Sequence, residues 1–445
     1  MHVAYSRAVS TLLSALLSTV SVYAADNSPA NLEPLNIAEK QALDFLPVLR
    51  KERRENVGLG RIQWGGQLKA FPFSRFNRDL TGESSFDQAD IPVRVEFGLA
   101  APLTRNSDLY FSVELKEKVG LKDSGGARSE VILENARVNI HDAGMEGLSL
   151  RFGRMTIQDK REAILRAQYD GALMSYASQS YQLDFGIFSR GDLRADILHG
   201  DASTRSTDII TKAEKRLFGT VNIGALILLL NDRSLTADDR TYYALRSYGR
   251  ALPQLQHWLE VTHLRGETLQ GSRSAWSTEI RAIYDLALPT RTELGVAYIW
   301  GSGDSDPTDE TDGLYRQTGL QRNNSFWGAG PKYRLLGEAL RAEVANIHAV
   351  TLMARHFPGK AWSVSLLYHL FWQDKLATSQ PGWSWNGQPN GLNKKLASEI
   401  DVTVGVKLAF GLSLEANVAY VNPGAAFGGD RSDGFAIGME MRFAI

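Results

Sequence analysis

The sequence predicts an all-β fold: an 18-stranded antiparallel transmembrane β-barrel with short periplasmic turns and longer extracellular loops. Three observations carry that expectation. Apolar and polar residues alternate with period two along the chain, as they do where one strand face meets lipid and the other a lumen. No segment past the N-terminus approaches the roughly 18 consecutive apolar residues of a spanning helix. Short polar turns also alternate with longer polar loops, the connection pattern of bacterial barrels. Mean hydropathy is −0.22, which resembles a soluble protein only because it averages the two faces of each strand.

Taken in order, residues 1–24 read as a secretory signal peptide. Arg7 precedes an uncharged, apolar or small run from Ala8 to Val22, and Val22-Tyr23-Ala24 supplies the small residue before a cleavage point. Cleavage removes Arg7 and leaves 48 basic against 50 acidic residues, so there is no global field for nucleic acid. The chain has 0 cysteines, which excludes a small disulfide-stapled secreted domain. Residues 25–58 read as a short helical or disordered periplasmic lead-in, whose KERR run is a solvated basic patch. Residues 59–445 are left for the barrel.

Strands follow from alternation. In IPVRVEFGLA, Val93, Val95, Phe97 and Leu99 share a face opposite Arg94 and Glu96. In EIDVTVGVKL, Ile400, Val402, Val404, Val406 and Leu408 oppose Asp401, Thr403 and Lys407. The same reading gives strands near 61–71, 91–101, 108–118, 129–141, 148–155, 170–178, 181–190, 204–214 and 217–230. It continues at 240–249, 254–265, 275–286, 291–301, 347–357, 361–373, 397–410, 412–421 and 434–445, which makes 18. An even count with both termini on the short-turn side is what single-chain barrels require. The span 204–214 alternates least clearly. Aromatic residues near strand ends, including Trp64, Tyr110, Trp258, Tyr298, Trp300, Tyr368, Trp372, Tyr420 and Phe443, fit interfacial girdles.

Alternation also places charge. Lys69 shares a face with Gln63 and Gln67; Arg94, Glu96, Asn135, Arg137 and Asn139 face inward, as do Glu279 with Arg281 and Arg291 with Glu293. Arg or Lys on the lipid face near the midplane costs roughly 2–4 kcal/mol, so inward placement is an energetic requirement. Such residues either brace the wall through acidic neighbours or select anions at a constriction. The stretch LRFGRMTIQDKREAILRAQYDG (150–171) is a strand end, a loop long enough to fold over the lumen, and the next strand's start. No nucleophile–base pairing marks a catalytic site there, and no aromatic-interleaved basic helix marks a nucleic-acid surface. The acidic loop GSGDSDPTDETDG (301–313) lacks the Gly of an EF-hand, and His257 and His263 share the apolar parity of their strand. Neither indicates a metal site, and no cofactor is implied.

The segment FGRMTIQDKREAILRAQYDGALMSY resembles the alginate-export family of outer-membrane barrels, which carry a strand ending in Gly-Arg, then Asp, Arg-Glu, and an Asp opening the next strand. Gly153, Arg154, Asp159, Arg161, Glu162 and Asp170 match. Ala163, Ile164 and Leu165 stand where the family has aromatic residues. YIWGSGDSDPTD resembles a second family element through Gly303-Asp304. KYRLLGEALRAEVANIHAVTL resembles a third through Tyr333, Arg334, Gly337, Glu338, Glu343, Asn346 and Ile347, with Val344-Ala345 in place of Leu-Ser. LLYHLFW (366–372) and residues 398–427 resemble its final strands. The resemblance covers most of residues 60–445 and implies an 18-stranded barrel in the outer membrane of a Gram-negative bacterium.

It also implies passage of a secreted polyuronate through an arginine- and lysine-lined pore. Carried over by position, the pore-lining residues are Lys69, Arg94, Arg137, Arg154, Arg161, Arg334 and Arg341, with Asp159, Asp170 and Glu338 as supporting acids. Successive guanidinium groups, always charged and forked, suit a polymer of carboxylated sugars. The expected partners are outer-membrane lipid and lipopolysaccharide, an anionic oligo- or polysaccharide, and periplasmic export proteins. The alternative is a general or small-anion porin of the same fold. A lipid-acting barrel enzyme would need a Ser–His pair near the lipid-facing rim, and a structural adhesin would not need a charged inward face.

Overall fold

The computed structural model describes residues 62–444 apart from 81–86, 123–127, 160–161, 192–195, 197–204, 234–238, 269–270, 307, 326–332, 383, 409–410 and 429–430. The signal-peptide and lead-in expectations lie outside the described residues, as does Arg161.

The architecture is a closed antiparallel barrel of 18 strands. The first strand runs Gln63–Ala70 and resumes as Phe73–Phe76 in unchanged register against the last strand, with Ala70 across from Met441 and Phe73 across from Gly438. Pro72, which has no N–H to give the ladder, marks the interruption. The wall continues through Gln88–Thr104, Ser107–Lys122, Arg128–His141, Leu148–Gln158, Arg166–Ala177, Tyr181–Arg190, Ser206–Leu217 and Val221–Asp232. Asp239–Leu252, Leu255–Thr268, Gly271–Asp285, Thr292–Gly301, Ile347–His356, Trp362–Trp372, Lys395–Lys407, Leu412–Pro423 and Gly434–Ala444 complete it. Pairing of the first strand with both the second and the last leaves no open edge, as a bilayer demands. All 18 expected strands are present. The early ones extend further on the long-loop side than alternation indicated, to Gln88, Lys122 and Arg128.

The outward face is a lipid surface. Leu245, Leu259, Val261, Leu366 and Val402 are exposed while their inward neighbours are buried. Polar side chains on this face satisfy one another: Ser247 Oγ lies 2.9 Å from His257 Nε2, and Ser274 Oγ 3.2 Å from His263 Nε2. Two of the expected girdle residues face the other way. Tyr110 and Trp258 share inward parity with Ser112 and Glu260 and are buried, each beneath a guanidinium: Arg137 lies 4.6 Å from the Tyr110 ring centroid and Arg246 5.6 Å from that of Trp258. The alternation signal was available, because Leu109 and Leu259 fix the outward parity.

The interior is unevenly filled. Inward residues from Leu148–Gln158 round to Thr292–Gly301 include Met155, Tyr169, Phe188, Ile210, Leu228, Leu230, Tyr242, Leu264 and Ile299, all in one buried apolar cluster. Loop residues Ile164, Leu165, Tyr315, Leu335, Leu336, Leu340 and Val344 complete that cluster. The described residues 314–325 and 333–346 of the long loop after Gly301 therefore lie inside the barrel, packed on one side of it.

Candidate functional site

Two devices hold the inserted loop. The first is the family-like loop 159–165. Asp159 Oδ1 accepts the backbone N–H groups of Ile164 (3.2 Å) and Leu165 (2.9 Å), closing a turn. That turn presents backbone carbonyls to the long loop. Glu162 accepts from the N–H groups of Arg322 and Asn323 (2.8 and 3.2 Å), and Ala163 from Gln317 Nε2 (3.0 Å). Thr318 Oγ1 donates to the Ile164 carbonyl. Ile164 and Leu165 enter the apolar cluster, so the aliphatic departure from the family pattern is a packing solution.

The second device is a pair of wall carboxylates. Glu399 and Asp401, buried on the inward face of Lys395–Lys407, accept backbone N–H groups from the loop: Ala339 (2.7 Å) and Leu340 (3.1 Å) on Glu399, Glu338 (3.1 Å) on Asp401. His369 Nε2 stands 3.2 Å from Asp401 and its Nδ1 2.8 Å from Thr351 Oγ1. Trp385 Nε1 donates to the Ala339 carbonyl (2.7 Å). Gly337 is required here: its φ is +85°, and a Cβ would sit 2.3 Å from Glu399 Oε2. Buried side-chain oxygens that satisfy three loop N–H groups would leave those donors without partners if the loop moved, so the loop is fixed where it lies.

What remains open is a cavity of about 680 Å³ between this loop and the strands at the barrel's seam. Seven basic and seven acidic side chains line it among the described residues. Lys69 pairs with Glu96 (2.9 Å), Arg94 with Glu114 (3.5 Å), Arg166 with Glu162 (2.8 Å), Arg334 with Glu338 (3.8 Å) and Arg442 with Glu440 (2.6 Å). Two lining arginines differ. Among the described residues no carboxylate lies within 4.0 Å of Arg322 or Arg341, and Arg341 Nε is held by the Glu338 carbonyl (2.9 Å). Burial, Arg334 and Arg75 push the Arg341 guanidinium well below its ordinary range. Arg322 opens to the lumen, yet its enclosure and the neighbouring Arg166 and Arg94 lower it to about 10. Both stand in a locally cationic field.

The expected site residues divide accordingly. Lys69, Arg94, Arg334, Arg341 and Glu338 come together in the cavity. Arg137 and Arg154 do not line it. Arg137 sits nearer the short-turn end, buried between Asn135 (2.8 Å) and Asn139 (3.1 Å). Arg154 makes a two-pronged pair with Asp170, Nε to Oδ1 at 2.8 Å and Nη2 to Oδ2 at 2.6 Å. The register sets that pair on the parity of the exposed Phe152 and Met174, opposite the core residues Met155 and Tyr169. Gly153 permits the geometry with φ +114°; a Cβ there would lie 2.3 Å from the Ala136 carbonyl oxygen. Asp159 shapes a turn instead of orienting an arginine. Arg166, Arg322 and Arg442 are lining residues that the sequence reading did not name. Arg442 was legible, since Met441 and Phe443 mark the lipid face; Arg322 lies in a loop without period.

A closed antiparallel barrel with a loop folded into its lumen and a charged passage beside it defines an outer-membrane channel protein of the porin type. The chain belongs to the alginate export family, which it matches over residues 93–433. It is 29% identical over 198 residues to alginate production protein AlgE of Pseudomonas aeruginosa, a stretch covering 40% of this chain and 39% of that relative. To AlgE of Azotobacter vinelandii it is 32% identical over 139 residues, covering 29% of this chain and 28% of the relative. The matched stretches thus span well under half of these relatives. The crystal structure of Pseudomonas aeruginosa OccK5 (OpdH) aligns with a TM-score of 0.58 at 12% identity, covering 87% of this chain and 98% of that one, a likeness of fold.

Proposed function

We propose that this channel passes an anionic polysaccharide, of the polyuronate kind that the alginate export family name denotes, or a related anionic solute. The observation that carries the reading is the pair Arg322 and Arg341 on the inserted loop, two lining guanidiniums with no carboxylate within salt-bridge distance among the described residues. A carboxylate passing between loop and wall exchanges hydration for forked N–H donors there. Lys69, Arg94 and Arg334 flank them as cations already shared with Glu96, Glu114 and Glu338, so each contact is weak and the solute moves on. We read the chain as a conduit and not an enzyme: its Ser–His contacts serve to satisfy polar groups on the lipid face. Outer-membrane lipid, lipopolysaccharide and periplasmic export proteins are its expected neighbours.

The even balance of seven basic and seven acidic lining residues favours a second reading, a small-anion porin of modest selectivity. Planar-bilayer recording separates the two. Oligouronate should block the chloride current more strongly than neutral dextran of equal size. Equal block by both, or none by either, would leave the small-anion porin.

A further inference from the structure

One strip of the cavity wall carries no charge. Phe71 at the break in the first strand, Phe73 where that strand resumes and Pro92 in the second strand line the cavity on the inward parity of Lys69 and Arg94, and all three are only half-buried. Gly438 stands directly across from Phe73 on the last strand, so that strand places no side chain beside the ring, while Asp90 stands across from it on the other side. An apolar strip kept in a charged, water-filled passage is a feature that ion conduction alone does not use. Guanidinium groups surround it: Arg94 lies 5.2 Å from the Phe71 ring centroid, and Arg75 and Arg341 lie 5.2 and 5.5 Å from that of Phe73. Stacking on a ring positions a guanidinium without neutralising it, unlike a carboxylate partner.

We propose that Phe71, Pro92 and Phe73 form a pyranose-stacking subsite, in which the C–H face of a sugar ring lies on the strip while a ring carboxylate reaches Arg94 or Arg341. The inference rests on the anionic-saccharide reading and names what separates a saccharide from a bare anion in this lumen. Chloride has no apolar face, so the strip adds to the residence of sugars and nothing to the passage of small ions. Aromatic platforms with a few placed polar groups are how concave sites fix flat, amphipathic ligands. Phe73 is the specificity-determining residue of the set, because it is the ring on which two of the three guanidiniums converge.

The test uses the full-length channel in planar bilayers with three probes: a hexameric oligouronate, a neutral glucose hexamer and chloride. Phe73→Ala should shorten the residence of both oligomers by about five- to tenfold, a larger change than any in the chloride selectivity. Phe73→Leu, which keeps apolar volume and guards against misfolding, should shorten residence by a smaller factor. Unchanged oligomer residence in both variants overturns the subsite. A matching shift in chloride selectivity also overturns it, since Phe73 would then serve only to support Arg75 and Arg341. Wild-type channels that prefer cations, yet are blocked by the neutral hexamer in a Phe73-dependent way, would keep the subsite and remove the anionic reading. Wild-type anion preference with block by the oligouronate that Phe73→Ala leaves unchanged would do the reverse.

Discussion

Two sides of one lumen follow different rules. On the side bounded by the strands Leu148–Gln158 through Thr292–Gly301, inward positions hold Tyr169, Leu228, Tyr242 and Leu264, and an inserted loop packs on them as a domain core would. On the seam side, inward positions hold Lys69, Arg94, Glu96, Glu114 and Glu440, and the space stays open. The first side gains from excluding water and the second from keeping it. A barrel of fixed strand number can thus set its bore by choosing which inward residues are apolar. The loop that fills one side becomes the wall of the other, carrying Arg322 and Arg341 to the passage.

Substitutions should fall on one side of this division or the other. The largest effect on stability is expected from Leu340→Ala, a side chain buried in the loop's core contact. Its loss should cost about 2–5 kcal/mol, read from urea unfolding in detergent, and should raise single-channel conductance as the loop loosens. Arg154→Ala leaves Asp170 without its two-pronged partner. It should cost about 3 kcal/mol while leaving the reversal potential where it was, because the pair is part of the wall. Glu399→Gln replaces a buried carboxyl whose two oxygens accept from Ala339 and Leu340 by an amide with a single acceptor oxygen. It should cost about 1–3 kcal/mol and appear as added open-channel current noise. On the open side, replacing the exposed Arg322 by Gln should change stability by no more than about 0.5 kcal/mol, and Arg341→Gln, which loses the bond to the Glu338 carbonyl, by about 1 kcal/mol, with both acting chiefly on selectivity. The smallest effect is one of pH. Burial raises the Glu343 carboxyl above its ordinary range, with Arg316 opposing. Its protonation removes one negative lining charge, so anion preference should strengthen as pH falls through that range and relax as pH rises.

The same division explains what could be read from the residues in advance. On the seam side each strand has one apolar and one charged face, so Val93, Val95 and Phe97 announce Arg94 and Glu96 without any structure. On the packed side both faces are apolar. Ala225 to Leu230 is an unbroken run, with Leu226, Leu228 and Leu230 turned into the core and Leu229 to lipid. Ser206–Leu217 was hard to delimit for the same reason: Ile209 and the buried Ile210 break its alternation. The cavity's loop contribution had no periodic signature at all. Arg322 is placed by backbone bonds to Glu162, some 160 residues away in sequence, and such long-range pairing leaves no local trace. Arg154 and Asp170 were visible as a charged pair, but which face they took depended on the local irregularity at Gly153.

The anion preference proposed for this passage rests on two unneutralised arginines of the inserted loop, Arg322 and Arg341. It is tested most directly by the reversal potential of single channels in a potassium chloride gradient, wild type beside the Arg322→Gln, Arg341→Gln double variant. The account predicts a chloride-ward potential in the wild type that collapses toward zero or reverses in the double variant. A wild-type potential on the potassium side, or an anion preference that survives loss of both arginines, would contradict it.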